Sequence, residues 1–418
     1  MEIISSYNLI IEVSLIIIFS FFFNGISKRT NIPAVLMLIV LGVVLQYGLK
    51  FAKVGEMNFF PILELLGIVG LIMIVLEAAL ELELKREKLM PILKSMAVAL
   101  IGLVASAWIA ALILYQFIPT MTMQSAWLYA TPLSILSSAI IIPSVSGLKE
   151  NKKEFHIYES TFSDIIGIMM FYFLTGKLNP AEDSGVIGFT GNLILTIVIA
   201  LVASYAIIMI FQHIRSNVKL FLLIAVLLLL YAVGKKMHLS SLIIILIFGL
   251  VIANMKLFFQ GKLVKYLDFK KAHHIYHELH TITAETAFVV RTFFFVIFGL
   301  TIAITSLLNL NVALISTLII LSIYAIRYVL LLLFVGKDVI PQLFIAPRGL
   351  ITVLLFYAIP LEAQIAEFNQ GILLFVIIGT SLIMTFAMIY DKRRSTKAID
   401  LAKSRKVGSV SWKAPTID

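Results

Sequence analysis

Apolar residues in this chain come in long, nearly unbroken blocks, not in alternation or one-sided stripes. Thirteen blocks stand out: 7–24, 32–49, 61–80, 91–117, 125–148, 156–176, 187–212, 218–234, 239–255, 284–306, 310–334, 341–360 and 370–390. Each reaches or approaches the roughly 20 residues that carry a helix across hydrocarbon. A helix also satisfies its own backbone polar groups, which lipid cannot do. Strand-length alternation punctuated by turns is absent, which argues against a β-barrel. The pattern predicts an all-α polytopic membrane protein of about 13 spans.

Composition removes the alternatives. Hydrophobic residues make up 61% of the 418 and charged residues 13%, against about 45–50% and about 25% in soluble chains. The absence of cysteine excludes disulfides, thiolate metal sites and cysteine nucleophiles. The first block is not expected to be a cleaved signal peptide, since only Glu2 precedes it and no small-residue cleavage site follows. The net charge of +10 suggests nucleic acid until the charges are placed. An odd number of spans puts the termini on opposite sides. With the N-terminus outside, most of the 33 basic residues fall inside, among them Lys85, Arg86, Lys88, Lys149, Lys152, Lys153 and the cluster after Tyr390. The charge is therefore a topology signal. A multi-pass cell-membrane protein is expected, its C-terminus cytoplasmic, with 1–390 as the transmembrane domain and 391–418 as a short basic tail. Its surroundings are the lipid bilayer, and no nucleic acid or cofactor is implied.

Ionisable groups inside a span cost about 2.5–3.5 kcal/mol each, so they are functional candidates. Span 6 carries Glu159 and, at its centre, Asp164; spans 10, 11 and 12 carry Arg291, Arg327 and Arg348; Glu77 lies in the inner half of span 3. At about 1.5 Å per residue, Glu159 sits about 9 Å and Arg327 about 7.5 Å to the cytoplasmic side of their span centres. The two can meet at one level, and a buried arginine must find an acceptor. Asp164 has no basic residue so close to its level. A carboxylate at that depth can exchange a proton for a bare monovalent cation.

Two spans look interrupted. Span 5 holds Thr131-Pro132, then Ser137-Ser138 at its centre and Pro143 beyond; span 12 holds Ala346-Pro347-Arg348-Gly349 at its centre. Proline removes a backbone hydrogen bond and clashes with the preceding turn. The breaks lie seven spans apart in spans of opposite direction. That spacing predicts inverted repeats of six, about 7–176 and 218–390, with 187–212 as linker and two crossing broken helices, an arrangement that places ion sites where helices unwind.

These segments resemble a known family. Glu159-Ser160-Thr161-Phe162-Ser163-Asp164 is similar to the Glu-Ser-x-x-Asn-Asp signature of sodium/proton exchangers in the cation:proton antiporter superfamily. Glu285 to Gly299, with Arg291-Thr292-Phe293-Phe294-Phe295, resembles the matching span. Arg348-Gly349 resembles the Leu-Arg-Gly segment, and Leu76-Glu77-Ala78 the acidic segment of the third helix. The resemblance runs from about Gly25 to Tyr390. It implies a homodimeric secondary antiporter in which Asp164 carries the cation and the proton alternately. Ser160 and Glu77 would lie near the ion, Glu159 and Arg327 would form a structural pair, and Arg348, Pro347 and Arg291 would serve the helix break and charge compensation. Two departures bear on ion identity. Ser163 replaces the asparagine before the carboxylate. The family's Thr-Asp-Pro is absent, its place taken by Thr131-Pro132 or, at the midplane and as in the potassium-efflux branch, by Ser137-Ser138-Ala139. Thr131, Ser137, Ser138 and Ser163 join the candidate cation ligands.

Segment 256–283 is amphipathic. It contains His273, His274, His277 and His280, of which His273, His277 and His280 share one helical face. Three imidazoles at that spacing could hold zinc or sense pH, but the leading reading is an interfacial helix joining two spans. The leading expectation is electroneutral exchange of Na⁺, Li⁺ or K⁺ for H⁺. A cation channel or gated K⁺ efflux protein of the same architecture is the alternative, although no repeated carbonyl-rich filter loop is present. An intramembrane enzyme would need a nucleophile and a base, and no histidine is expected within a span core. A nucleotide-driven pump lacks its phosphate-binding loop.

Overall fold

The computed structural model describes residues 6–30, 32–51, 60–82, 84, 86–176, 185–214, 219–237, 239, 241–260, 267–301 and 304–407. Its α-helices are α1 (Ser6–Thr30), α2 (Ala34–Phe51), α3 (Phe60–Glu81), α4 (Leu89–Phe117), α5 (Met123–Ser134), α6 (Ser138–Ser144), α7 (Glu150–Gly176), α8 (Gly185–Phe211), α9 (Lys219–Lys236), α10 (Ser241–Ala253), α11 (Met255–Phe258), α12 (Phe269–Thr301), α13 (Leu310–Phe334), α14 (Leu350–Tyr357) and α15 (Gly371–Val407). Among the described residues there is no strand, and nine stretches are long and apolar enough to cross a membrane by length and composition. Ser241–Ala253 is apolar but shorter.

The expected interruptions are present: span 5 is split into α5 and α6 by an extended segment at 135–137, and span 12 is helical only at α14 and in the short 3₁₀ turn Gln342–Phe344. Boundaries depart from expectation in two places. The joining helix expected within 256–283 is not separate from span 10. From Phe269 onward it is the first part of α12, which runs unbroken for 33 residues. At about 1.5 Å per residue that is about 50 Å, well beyond the roughly 30 Å of hydrocarbon. Asp268 starts it: the side chain of Lys271 pairs with the Asp268 carboxylate at 3.1 Å, and the amides of Lys270 and Lys271 donate to it. These contacts hold that carboxyl below the ordinary range. Finally, α15 continues as helix past Tyr390 to Val407, into the expected tail.

The helices gather into two bundles. In one, α12 packs on α2 and α3, α10 packs on α3, α8 and α9, and α1 joins α2 and α12. In the other, α4 packs on α5, α7 and α13, with α15 against α13 and α14 against α5. The bundles meet where α3 touches α7 and α14.

The α2–α12 crossing is a backbone contact. A Cβ placed on Gly42 would lie 2.1 Å from the carbonyl oxygen of Val296, and one on Gly299 would lie 2.4 Å from that of Ile39. Small residues let helices approach this closely in lipid, where packing must replace the hydrophobic drive. Ser20 of α1 adds a polar tie, its hydroxyl 2.6 Å from that of Thr292 on α12. Gly42→Ala and Gly299→Ala are each expected to cost about 1–3 kcal/mol through overpacking, measured as a lowered Tm in detergent. Gly25 has nothing within 4 Å of an added Cβ, so Gly25→Ala should leave Tm unchanged or slightly raised.

Candidate ion-binding site

The two interrupted helices cross at the centre of the second bundle. Proline at 347 disfavours helix at the residue before it, and the chain from Ile345 to Gly349 is non-helical. Opposite, α5 ends at Ser134 and Ile135 turns extended. The amide of Ser137 donates to the carbonyl of Pro347 at 2.9 Å, so the two unwound segments touch through their backbones. Glycine at 349 is required by that approach, because a Cβ there would lie 2.4 Å from Ser137 Oγ.

Unwinding strands carbonyls that would otherwise accept helical bonds. Arg348, 2% exposed, answers them. Its Nε donates to Leu133 O at 3.0 Å, its Nη2 to Ser134 O at 3.1 Å and its Nη1 to Ala346 O at 2.7 Å. Its own amide donates to Thr380 Oγ1 at 3.1 Å. The cation therefore compensates the negative end of α5 rather than a carboxylate.

Asp164 projects from the middle of α7 and is 3% exposed. Neither carboxylate oxygen has a hydrogen-bond partner among the described residues. The hydroxyl and amide of Ser138, at the start of α6, are the polar groups facing it. Beside it lies a void of about 20 Å³ bounded by Thr161, Asp164, Ile74, Ala78, Leu242 and Ile351. A larger cavity of about 260 Å³ is bordered by Glu77, Glu81, Arg291, Asn24 and Ser138. Ile74 and Ala78 wall both spaces, so they are one side-chain layer apart. Glu77 belongs to the larger cavity, where Arg291 Nη2 donates to its Oε1 at 3.3 Å.

Glu159 and Arg327 meet. Nη1 donates to Oε1 at 2.6 Å and Nη2 to Oε2 at 2.9 Å, a bidentate pair, and Nε donates to Gln342 O at 3.1 Å. His156 joins them, its Nδ1 3.3 Å from Glu159 Oε2. It is fully buried although it stands at the first residue of the expected span 6, three residues before Glu159 and outside the span core.

The other hydroxyls expected near the ion make the following contacts. Ser163 Oγ accepts from the amide of Leu136 at 3.0 Å, closing one open donor of the unwound segment. The hydroxyls of Ser160 and Thr131 donate within their own helices, to His156 O and Trp127 O, each at 2.7 Å. Ser137 lies against Gly349. Of that set only Ser138 faces Asp164. The histidine trio expected on one helical face does not close around a common point. His273 and His277 approach to 3.0 Å between Nε2 atoms, but His274 pairs with Glu278 at 3.1 Å, and the ring of His280 packs against that of Tyr276. Among the described residues no group of three metal-capable side chains forms.

Residues that hydropathy alone does not flag are His156, Thr161 and Glu81. Helical spacing carries a signal for the first two, since His156 precedes Glu159 by three and Thr161 precedes Asp164 by three, on shared faces.

A sequence profile of the family described as "Sodium/hydrogen exchanger, transmembrane" matches residues 15–389. No curated protein sequence matches significantly. The fold is similar to that of the sodium proton antiporter MjNhaP1 from Methanocaldococcus jannaschii at pH 8. The TM-score is 0.68 at 19% identity, covering 93% of this chain and 99% of that one. A second structure of that antiporter, from an electron-microscopy map, gives 0.66 at 17% identity, over 98% and 100% of the two chains.

Breaking a buried pair leaves the other charge uncompensated at about 3–5 kcal/mol. Glu159→Gln and Arg327→Gln should each lower Tm strongly, and the double replacement should lose about 1–3 kcal/mol less than the sum. Additive losses in a thermal double-mutant cycle would count against the coupling.

Proposed function

The chain belongs to the sodium/hydrogen exchanger family, whose members are secondary transporters and not enzymes, and we propose that it exchanges one monovalent cation, Na⁺, Li⁺ or K⁺, for one proton at Asp164 by alternating access. The observation that carries this reading is a carboxylate buried between the two bundles with neither oxygen partnered. Glu159, the buried carboxylate five residues earlier on the same helix, is paired with Arg327. An unpaired one is available to a ligand that comes and goes. The crossing breaks beside it support inverted repeats of about 7–176 and 218–390 joined by 187–212. The placement of basic residues supports a cell-membrane protein with its N-terminus outside, so that the larger cavity opens to the cytoplasm. A homodimer is the assembly the family resemblance implies.

Electroneutral exchange follows from charge counting. Asp164 is the carboxylate at the void, and the residue before it, Ser163, is uncharged. Glu77 is offset by Arg291 and lends its field to the cavity without carrying a proton across. One carboxylate that loses a proton when it takes a cation changes no net charge over the cycle.

Reconstituted in liposomes under an imposed pH gradient, the protein should discharge the gradient on addition of a transported cation. Asp164→Asn keeps the side-chain volume but not the proton site, and should abolish the discharge at near-normal expression. Persistent exchange in that variant would refute the assignment. Proton and cation compete for one group, so the apparent cation affinity should fall as pH falls. A current on a solid-supported membrane that scales with potential would replace one-for-one exchange with a second carrier at Glu77.

A further inference from the structure

Hydroxyls inside these helices have a habitual partner, the carbonyl four residues earlier. Thr131, Ser134, Ser160, Thr175, Thr196 and Ser204 all donate this way. Thr161 does not. Its Oγ1 has no partner among the described residues although the residue is fully buried, and the carbonyl of Ile157 that would have received it accepts from Ser160 instead, at 3.2 Å. Thr283 and Ser381 also keep unpartnered hydroxyls, but Thr161 lines the void with Asp164. The two stand three residues apart on α7, so both side chains leave the same face.

The void thus contains three unpartnered polar atoms, Thr161 Oγ1 and both carboxylate oxygens of Asp164. Its other walls are aliphatic side chains from α3, α7, α10 and α14. At about 20 Å³ it has room for one water-sized occupant. The Thr161 oxygen and the Asp164 carboxylate line one void that is otherwise aliphatic, so an occupant that takes oxygen lone pairs would be held by both. Hard monovalent cations take neutral and charged oxygen donors together, which is what this box supplies.

We propose that Thr161 is a ligand of the transported cation, which rests in this void between the Thr161 hydroxyl and the Asp164 carboxylate. This rests on the reading of Asp164 as the carrier. The Ser160 hydroxyl donates to the His156 carbonyl and Ser163 Oγ accepts from the Leu136 amide, whereas Thr161 Oγ1 is engaged by neither kind of contact. Ser138 faces the same carboxylate from the side of the 260 Å³ cavity, where an arriving ion first meets it.

The test is a kinetic split in proteoliposomes, with Na⁺, Li⁺ and K⁺ each used as the probe at fixed pH. Thr161→Val keeps the shape and removes the oxygen. It should raise the cation KM about tenfold, the worth of one oxygen contact, with much less effect on the maximal rate. Thr161→Ser restores the oxygen and should restore the KM. Thr175→Val, which removes an ordinary helical hydroxyl from the same helix, should leave KM alone. Should Thr161→Val not reach the membrane folded, Thr161→Ala carries the same comparison, read as the cation-induced rise in Tm of the protein in detergent. A wild-type cation KM in Thr161→Val, or no recovery in Thr161→Ser, overturns the proposal. If Asp164→Asn is inactive while Thr161→Val keeps the wild-type KM, this ligand assignment alone falls. If Asp164→Asn transports, the carrier assignment falls with it.

Discussion

Irregular backbone in a membrane interior must find its hydrogen bonds within the protein, and Arg348 makes that possible here. Its guanidinium gathers the carbonyls of Leu133, Ser134 and Ala346, two from the end of one broken helix and one from its own strand. Without it, α5 would end in bare acceptors in a water-free core. With it, α5 can stop short of the midplane, α6 can begin with Ser138 against Asp164, and the Ser137–Pro347 contact can hold the crossing in register. Glycine at 349 and serine at 137 follow from the same closeness. The pocket beside Asp164 is in this sense a by-product of how the break is satisfied.

Charge bookkeeping in the second bundle separates fixed from exchangeable groups. Arg348 is occupied by carbonyls and Arg327 by Glu159, with His156 at the pair's flank. In the neighbouring cavity Glu77 has Arg291. These contacts stabilise formal charges that never need to leave. Asp164 is outside all of them, which leaves its charge to be balanced by what it binds.

Much of this was legible in the chain. Block lengths marked the spans, and Pro347-Arg348-Gly349 marked the sharper break, because proline and glycine act locally. The level of Glu159 and Arg327 followed from the helical rise alone. Other features depend on rotamers and on neighbours distant in sequence. Nothing in the local pattern says that Arg348 turns to Leu133 and Ser134, that Arg291 reaches Glu77 across 214 positions, or that Ser163 spends its hydroxyl on Leu136. The start of α12 was misplaced for a physical reason. Its first turns are polar and rich in histidine, so hydropathy divides a helix that backbone hydrogen bonding does not.

The glycine contact between α2 and α12 bears on where this protein can move. With Gly42 and Gly299 in backbone contact, those helices have no side-chain layer over which to slide, and α3 is packed onto the same α12. The plane where α3 faces α7 and α14 is instead lined by aliphatic residues such as Ile74, Ala78 and Ile351, and it is the seam at which the proposed alternating access would act. The void beside Asp164 lies in that plane. Its two halves belong to different bodies, so a small shear would change the shape of the chamber before any helix had to bend.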